Sequence, residues 1–346
     1  MSSPTRAAAV RRTNDPAPGP PLLRVRDLRV EFRTSYGLTN AVNGLSYSVD
    51  RGETLAILGE SGSGKSVAAR AVLGIIESPP GYVTGGEVLF DDRDLLTLSR
   101  KQLRRIRGER IAIIFQDALT ALNPVFTVGF QIAEMFRVHR GMSQSDATAR
   151  AIELLDRVRI PNARNRVHDY PHQFSGGMRQ RVMIAMAIAL EPDLLIADEP
   201  TTALDVTVQA QIMALLAELR HDLGMGLVLI THDLGVVAEV ADQAVVMYAG
   251  RGIEYAAIED LYDSPAHPYT RALMRSIPRA DQKGGRLEAI SGSPPNLSAI
   301  PAGCEFHPRC PLATDLCARE RPDVVEFAPG RLSACHFGAE VLSGER

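Results

Sequence analysis

Charge of one sign is scarce here: 38 Lys and Arg stand against 41 Asp and Glu, a formal net charge of −3. A broad nucleic-acid binder leaves a basic footprint, so this balance argues against one. Long apolar runs are missing too. Stretches such as residues 182–190 reach about half of the ~20 residues that a bilayer crossing needs, so no membrane span is expected. Cysteine is confined to four residues, all between 304 and 335. Thiols clustered in this way in a cytosolic chain point to a metal before disulfides. An export signal is also lacking. Arg11 and Arg12 are followed by Thr-Asn-Asp-Pro instead of an apolar core, and residues 1–21 read as a disordered, solvated tail.

What is present begins with length. The 346 residues leave room for one large domain with a smaller one, or for two modest domains, and 45% hydrophobic content is ordinary for a globular chain. Residues 23–32 and 41–49 alternate apolar and polar positions, as half-buried strands do. Short apolar runs at 54–58, 111–115, 194–197, 227–230 and 244–248 read as further strands. Residues 85–92 read as a strand and turn. Helical spacing occupies 99–108, much of 117–173, 178–190, 208–223 and 236–240. Alternating strands and helices predict an α/β core with a largely parallel sheet. Past residue 262 the composition turns to Pro, Gly, Ser and Cys, which sets the expected domain boundary.

The stretch that organises the rest is Gly59, Glu60, Ser61, Gly62, Ser63, Gly64, Lys65 and Ser66. It follows an apolar strand and precedes a helix, the context a phosphate loop requires. Its glycines turn backbone N–H groups inward at a helix N-terminus, Lys65 reaches the β and γ phosphates, and Ser66 offers a hydroxyl to Mg²⁺. A second feature separates the chain from other phosphate-loop proteins. The apolar run 194–197 ends in Asp198 and Glu199, an acid to hold Mg²⁺ followed by a general base for water. Ser175, Gly176, Gly177 and Met178 open another apolar helix about twenty residues earlier, with Ser175 as its cap, and make a second anion site.

Taken together, these residues resemble the ATP-binding-cassette ATPases over roughly residues 23–270. The resemblance implies an α/β P-loop fold of the ABC type with a helical signature subdomain. Residues 59–66, continued by Val67, then correspond to the Walker A loop, and Gln116 to the Q-loop glutamine and a Mg²⁺ ligand beside Ser66 and Asp198. Residues 175–178 correspond to the signature that acts on a partner's γ-phosphate, and Glu199 to the catalytic glutamate. Residues 203–205, with Asp205, match the D-loop, and His232 the switch histidine. Met178 and Phe174 depart from the common Gln and Leu without removing a phosphate donor. Tyr36 is the expected adenine-stacking aromatic, with Phe32 as its rival.

The C-terminal part resembles the oligopeptide and dipeptide importers. His267-Pro268-Tyr269, the four cysteines and residues 115–124 carry that likeness. It implies ATP-driven peptide uptake at the cytoplasmic face of the cell membrane. Partners would be two permease subunits, a second and non-identical ATPase, and an extracytoplasmic binding protein. Nickel-chelate import and a soluble, non-transport ATPase are the alternatives. The expected domains are a tail (1–21), an ATPase domain (22–262, helical over about 117–190) and a loop-rich C-terminal region (263–346). Leu119, Leu122, Pro124 and Phe126 are either permease contacts or ordinary packing. Cys304, Cys310, Cys317 and Cys335 lack the Cys-x₂-Cys spacing of zinc ribbons. Four thiolates suit an iron–sulfur cluster, and the resemblance implies [4Fe–4S]. Zinc, with His307 or His336, and free thiols stay open.

Overall fold

The computed structural model describes residues 20–276 and 290–345; the expected tail lies outside them but for its last two residues. In chain order, β1 (Leu23–Thr34) and β2 (Gly37–Val49) pair antiparallel, each burying alternate apolar residues. β3 (Thr54–Leu58) is buried on both faces and leads through the phosphate loop into α1 (Lys65–Val72). β4 (Gly81–Phe90), β5 (Arg93–Asp94) and α2 (Arg100–Ile106) follow. Ser99 and Gln102 close the start of α2 with reciprocal hydrogen bonds, a capping box of the kind that contributes about 1 kcal/mol.

β6 (Ile111–Ile114) opens the long helical stretch. It holds α3 (Ala118–Ala121), α4 (Val128–Arg140), α5 (Gln144–Arg157), α6 (Ala163–Arg166) and α7 (Gly176–Ile188). β7 (Leu194–Asp198), α8 (Val206–Leu223) and β8 (Gly226–Ile230) come next, then α9 (Leu234–Val240), β9 (Gln243–Tyr248) and β10 (Arg251–Ala257). The last elements are α10 (Ile258–Asp263), α11 (Pro268–Arg275), α12 (Asp315–Arg319), β11 (Val325–Ala328), β12 (Arg331–Ser333) and α13 (Gly338–Ser343).

The chain forms two compact units. Residues up to Asp50, Thr54–Thr97 and the chain from Thr231 onwards make one; Arg51–Glu53 and Leu98–Ile230 make the other. In the first, β2, β1, β4 and β5 form an antiparallel sheet, and β11, β12, β10, β9 and β3 lie side by side in that order. β3 runs parallel to β9, with Leu58 opposite Val246, so the phosphate loop leaves the strand next to the end of β9. In the second unit β8, β7 and β6 are parallel, with Ile111 opposite Leu194 and Asp198 opposite Ile230. Asp198 therefore stands at the carboxyl end of its strand, where open α/β sheets place their ligands.

The expected boundary near 262 meets a different physical partition. β12 pairs antiparallel with β10, Glu254 opposite Ser333 and Tyr255 opposite Leu332, which stitches the C-terminal part into the first unit's sheet. The His-Pro-Tyr stretch also gains a structural meaning here. His267 caps α11, its Nδ1 accepting from the Tyr269 N–H at 3.0 Å, and Pro268 sits at the first helical position, where no N–H is needed. The Glu254 carboxylate, 1% exposed, accepts from the N–H groups of Ala266 (2.6 Å) and His267 (3.0 Å).

Candidate functional site

The loop between β3 and α1 is tightly curled by its own hydrogen bonds. Lys65 is 4% exposed and donates from Nζ to the carbonyl oxygens of Gly59 (2.7 Å) and Glu60 (2.9 Å). Glycine is required at both ends of this curl. A Cβ on Gly59 would lie 2.3 Å from the Met247 carbonyl oxygen, and one on Gly64 2.2 Å from that of Ala41, and both glycines have positive φ. Gly64 precedes α1 and offers it no side-chain cap, so the helix N-terminus faces this loop. Ser63 Oγ is buried with no hydrogen-bond partner. A buried orphan hydroxyl in a cradle of N–H groups and a lysine fits a bound phosphate.

In the second unit the expected hydrolytic residues meet. Gln116 Nε2 donates to Glu199 Oε2 at 2.8 Å, and Thr202 Oγ1 donates to the same oxygen at 2.9 Å. Glu199 takes a left-handed backbone (φ 46°), and its N–H donates to the Ile230 carbonyl at 2.8 Å. A non-glycine residue in that region costs about 1–3 kcal/mol, and such strain gathers where a side chain must be aimed. Asp198 beside it is 1% exposed. Thr202 was not anticipated from the sequence; nothing in its spacing sets it apart from other threonines.

Ser175 caps α7 as expected, its Oγ accepting from the Met178 N–H, and Ser175 and Gly176 are exposed. α7 starts at Gly176, two residues before the expected start, because the cap residue fixes the first turn. Asp205 caps α8, accepting from the Val208 N–H at 2.9 Å. His232 is exposed in the loop after β8. Tyr36 occupies the β1–β2 turn at 98% exposure, whereas Phe32 lies within β1, paired with Gly81 of β4. Leu119 (57%), Val125 (69%) and Phe126 (43%) are exposed and Leu122 is buried, so only part of that segment is packing.

All four cysteines line one small cavity, together with His267, His307, His336 and Phe306. None is in a disulfide. Cys304 N–H donates to the Cys317 carbonyl at 2.8 Å, tying the two ends of the loop. Burial pushes the Cys304 thiol up to about 12 and the Cys335 thiol up to about 11, and raises Cys310 as well. Such thiols stay protonated until a Lewis acid takes them. Among the described residues no three His, Cys, Asp or Glu side chains are gathered as a ready metal site. The proposed zinc ligands have other bonds: His307 Nδ1 lies 2.9 Å from the Cys304 carbonyl and His336 Nε2 2.9 Å from that of Glu320.

Sequence reasoning also missed what surrounds Glu60. Its N–H donates to the Tyr269 hydroxyl at 2.9 Å, and its carboxylate accepts from Arg309. Tyr269 belongs to the His-Pro-Tyr stretch, so part of this contact was in view without its purpose.

Comparison with known proteins gives a consistent picture. Residues 42–202 match the ABC transporter family, and residues 253–317 the C-terminal region of oligopeptide/dipeptide transporters. The chain is 50% identical over 330 residues to the oligopeptide transport ATP-binding protein OppD of Salmonella typhimurium, covering 95% of this chain and 98% of that one. It is 50% identical over 321 residues to OppD of Escherichia coli, covering 93% and 94%. Among solved structures, the dimeric post-hydrolysis ATP-binding cassette MJ0796 bound to ADP and Pi matches with a TM-score of 0.62. It is 28% identical and covers 68% of this chain and 98% of that one.

Proposed function

We propose how this geometry serves ATP-driven peptide uptake, since the chain belongs to the ATP-binding-cassette family and, within it, to the oligopeptide transport ATP-binding proteins. It is the ATP-hydrolysing subunit of a peptide importer. The observation that carries the mechanism is the convergence of Gln116 and Thr202 on one oxygen of Glu199. Residues 59–67 take the phosphates, with Lys65 moving from loop carbonyls to phosphate oxygens. Ser66, Gln116 and Asp198 are each proposed as residues that would hold Mg²⁺, which would supply charge neutralisation to the phosphates. Glu199 draws a proton from the attacking water, and His232 orients the γ-phosphate. Tyr36 stacks on adenine.

Ser175, Gly176, Gly177 and Met178 act on ATP held by a second cassette, with Asp205 nearby. The exposure of Ser175 and Gly176 supports that assignment. The second cassette is a related, non-identical ATPase. Two permeases take the exposed Leu119, Val125 and Phe126 against their cytoplasmic loops, and an extracytoplasmic protein delivers the peptide. Among the described residues no helix is long and apolar enough to cross a membrane; the proposed place is peripheral, on the cytoplasmic face against the permeases. The decisive experiment is uptake of a labelled peptide by vesicles carrying the permeases and binding protein. Uptake should stop in Glu199→Gln while ATP still binds; uptake at the normal rate would overturn the reading.

The four cysteines are proposed as ligands of a [4Fe–4S] cluster in the 263–346 region. Their shared cavity supports this. Anaerobic purification should return about four irons and four sulfides per chain. One zinc, or no metal, would remove the cluster and leave the ATPase standing.

A further inference from the structure

Glu60 is an odd residue to find in a phosphate cradle. It places a carboxylate in the loop that must receive a polyanion, where like charges repel. The structure answers with contacts to four residues. The Glu60 carboxylate is gripped by both ends of the Arg309 fork, Nη1 to Oε2 at 2.7 Å and Nη2 to Oε1 at 3.0 Å, a bidentate pair across 249 positions of sequence. The Glu60 N–H is taken by the Tyr269 hydroxyl at 2.9 Å. The Glu60 carbonyl accepts from Lys65 Nζ (2.9 Å) and from the Ser63 N–H (3.2 Å).

The holders are themselves fixed. The Arg309 side chain is 5% exposed; its Nε donates to the Ser291 carbonyl at 2.9 Å and its Nη1 reaches the Tyr248 hydroxyl at 3.3 Å. Its guanidinium lies 5.8 Å from the Tyr248 ring centre and 6.0 Å from that of Phe306. Tyr248, Tyr269 and Phe306 contact one another edge-on or tilted at 4.7–5.3 Å. The Glu60 bond raises the Arg309 pKa against the opposing effect of burial, so the cation is permanent.

We infer that Arg309 and Tyr269 are positioning residues for ATP binding: the C-terminal region neutralises Glu60 and holds its backbone so that Lys65 and the loop N–H groups face the phosphates. This rests on residues 59–66 being the phosphate loop, and it gives the C-terminal region a task in nucleotide binding that involves no metal. Arg309 never touches the nucleotide in this scheme. It acts through Glu60.

The test is equilibrium binding of Mg²⁺ and a non-hydrolysable ATP analogue to the full chain, beside steady-state ATP turnover. Arg309→Gln should weaken binding about tenfold and raise KM by as much, with kcat within about twofold, because an unpaired carboxylate then faces the phosphates. Glu60→Gln, which leaves the buried Arg309 without its carboxylate partner, should itself weaken binding, but by less than Arg309→Gln. The double variant Glu60→Gln/Arg309→Gln should recover most of the lost affinity, with the urea-unfolding midpoints of all three variants read beside it to separate affinity from stability. Wild-type affinity in Arg309→Gln, or a double variant as weak as Arg309→Gln, overturns the inference. If Arg309→Gln does not fold, Arg309→Lys keeps the charge but not the fork, and should show a smaller loss that Glu60→Gln again relieves. Lys65→Ala separates the two levels. If it binds the analogue normally, the reading of the loop fails; if it does not bind and Arg309→Gln binds normally, only the role of Arg309 fails.

Discussion

Lys65 is buried among the loop carbonyls it bonds, while Gln116 and Thr202, which hold Glu199, are both exposed. The phosphate-gripping residues lie in one compact unit, braced by Arg309, Tyr269 and the aromatic cluster around them. The residues proposed to activate water lie in the other, where the exposed side chains of Gln116 and Thr202 donate to Glu199. A buried network keeps its geometry because breaking it strands polar groups, whereas exposed hydrogen bonds are worth little and yield easily. The contrast suits a machine that holds ATP steadily and fires only when its exposed residues are set.

The sharpest way to break this contrast is Glu199→Gln. Turnover should fall by about 10²–10⁴, the usual worth of a general base, with ATP affinity nearly unchanged. Phosphate release and analogue binding measured side by side check it. A parallel loss of both would mean that the two halves are not separable.

A second test probes the braced half through pH. His267 is pushed down to about 3 by burial, from 6.5. It therefore contributes stability that is complete above pH 6.5 and lost as pH falls toward 3. Glu254 is pushed up to about 7 by burial, from 4.5, and has the opposite sign: its contribution is complete below pH 4.5 and lost as pH rises toward 7. Each slope is about 1.4 kcal/mol per pH unit, so between pH 4.5 and 6.5 the two offset one another. His267→Asn removes one of them. From pH 4.5 to 6.5 the wild type should gain about 3 kcal/mol on that variant in urea unfolding. A constant difference between the two curves would show that His267 titrates normally.

The smallest effect concerns an exposed member of the gripping half. Tyr36→Ala should weaken ATP binding by about three- to tenfold, the worth of one aromatic stacking contact. Phe32→Leu should leave affinity alone. The reverse result would assign adenine to Phe32.

Much of this was legible in the sequence because phosphate chemistry constrains the backbone locally. Gly59 and Gly64 have no alternative at their positions, and Ser175 and Asp205 announce the helices they cap. Strands such as Thr54–Leu58 and Leu194–Asp198 stood out because they are buried on both faces. What was hidden depends on distant pairing. Arg309 is one arginine among many until the fold brings it to Glu60, and β12 is three residues whose strand character comes from pairing with β10 and β11. The shift to Pro, Gly and Cys after residue 262 concealed α11 for the same reason. That helix is held by a carboxylate thirteen residues before its cap, and the cap is a histidine, which is an uncommon signal for a helix start.

The pairing of β12 with β10 also governs how this chain tolerates being shortened. A chain ending near residue 262 would keep every catalytic motif yet leave β10 as a bare edge, its N–H and C=O groups at Glu254 and Tyr255 unmatched. An open edge of that kind recruits other strands, so the shortened protein would self-associate. The C-terminal segment thus acts as a built-in solubility guard, whatever else it binds.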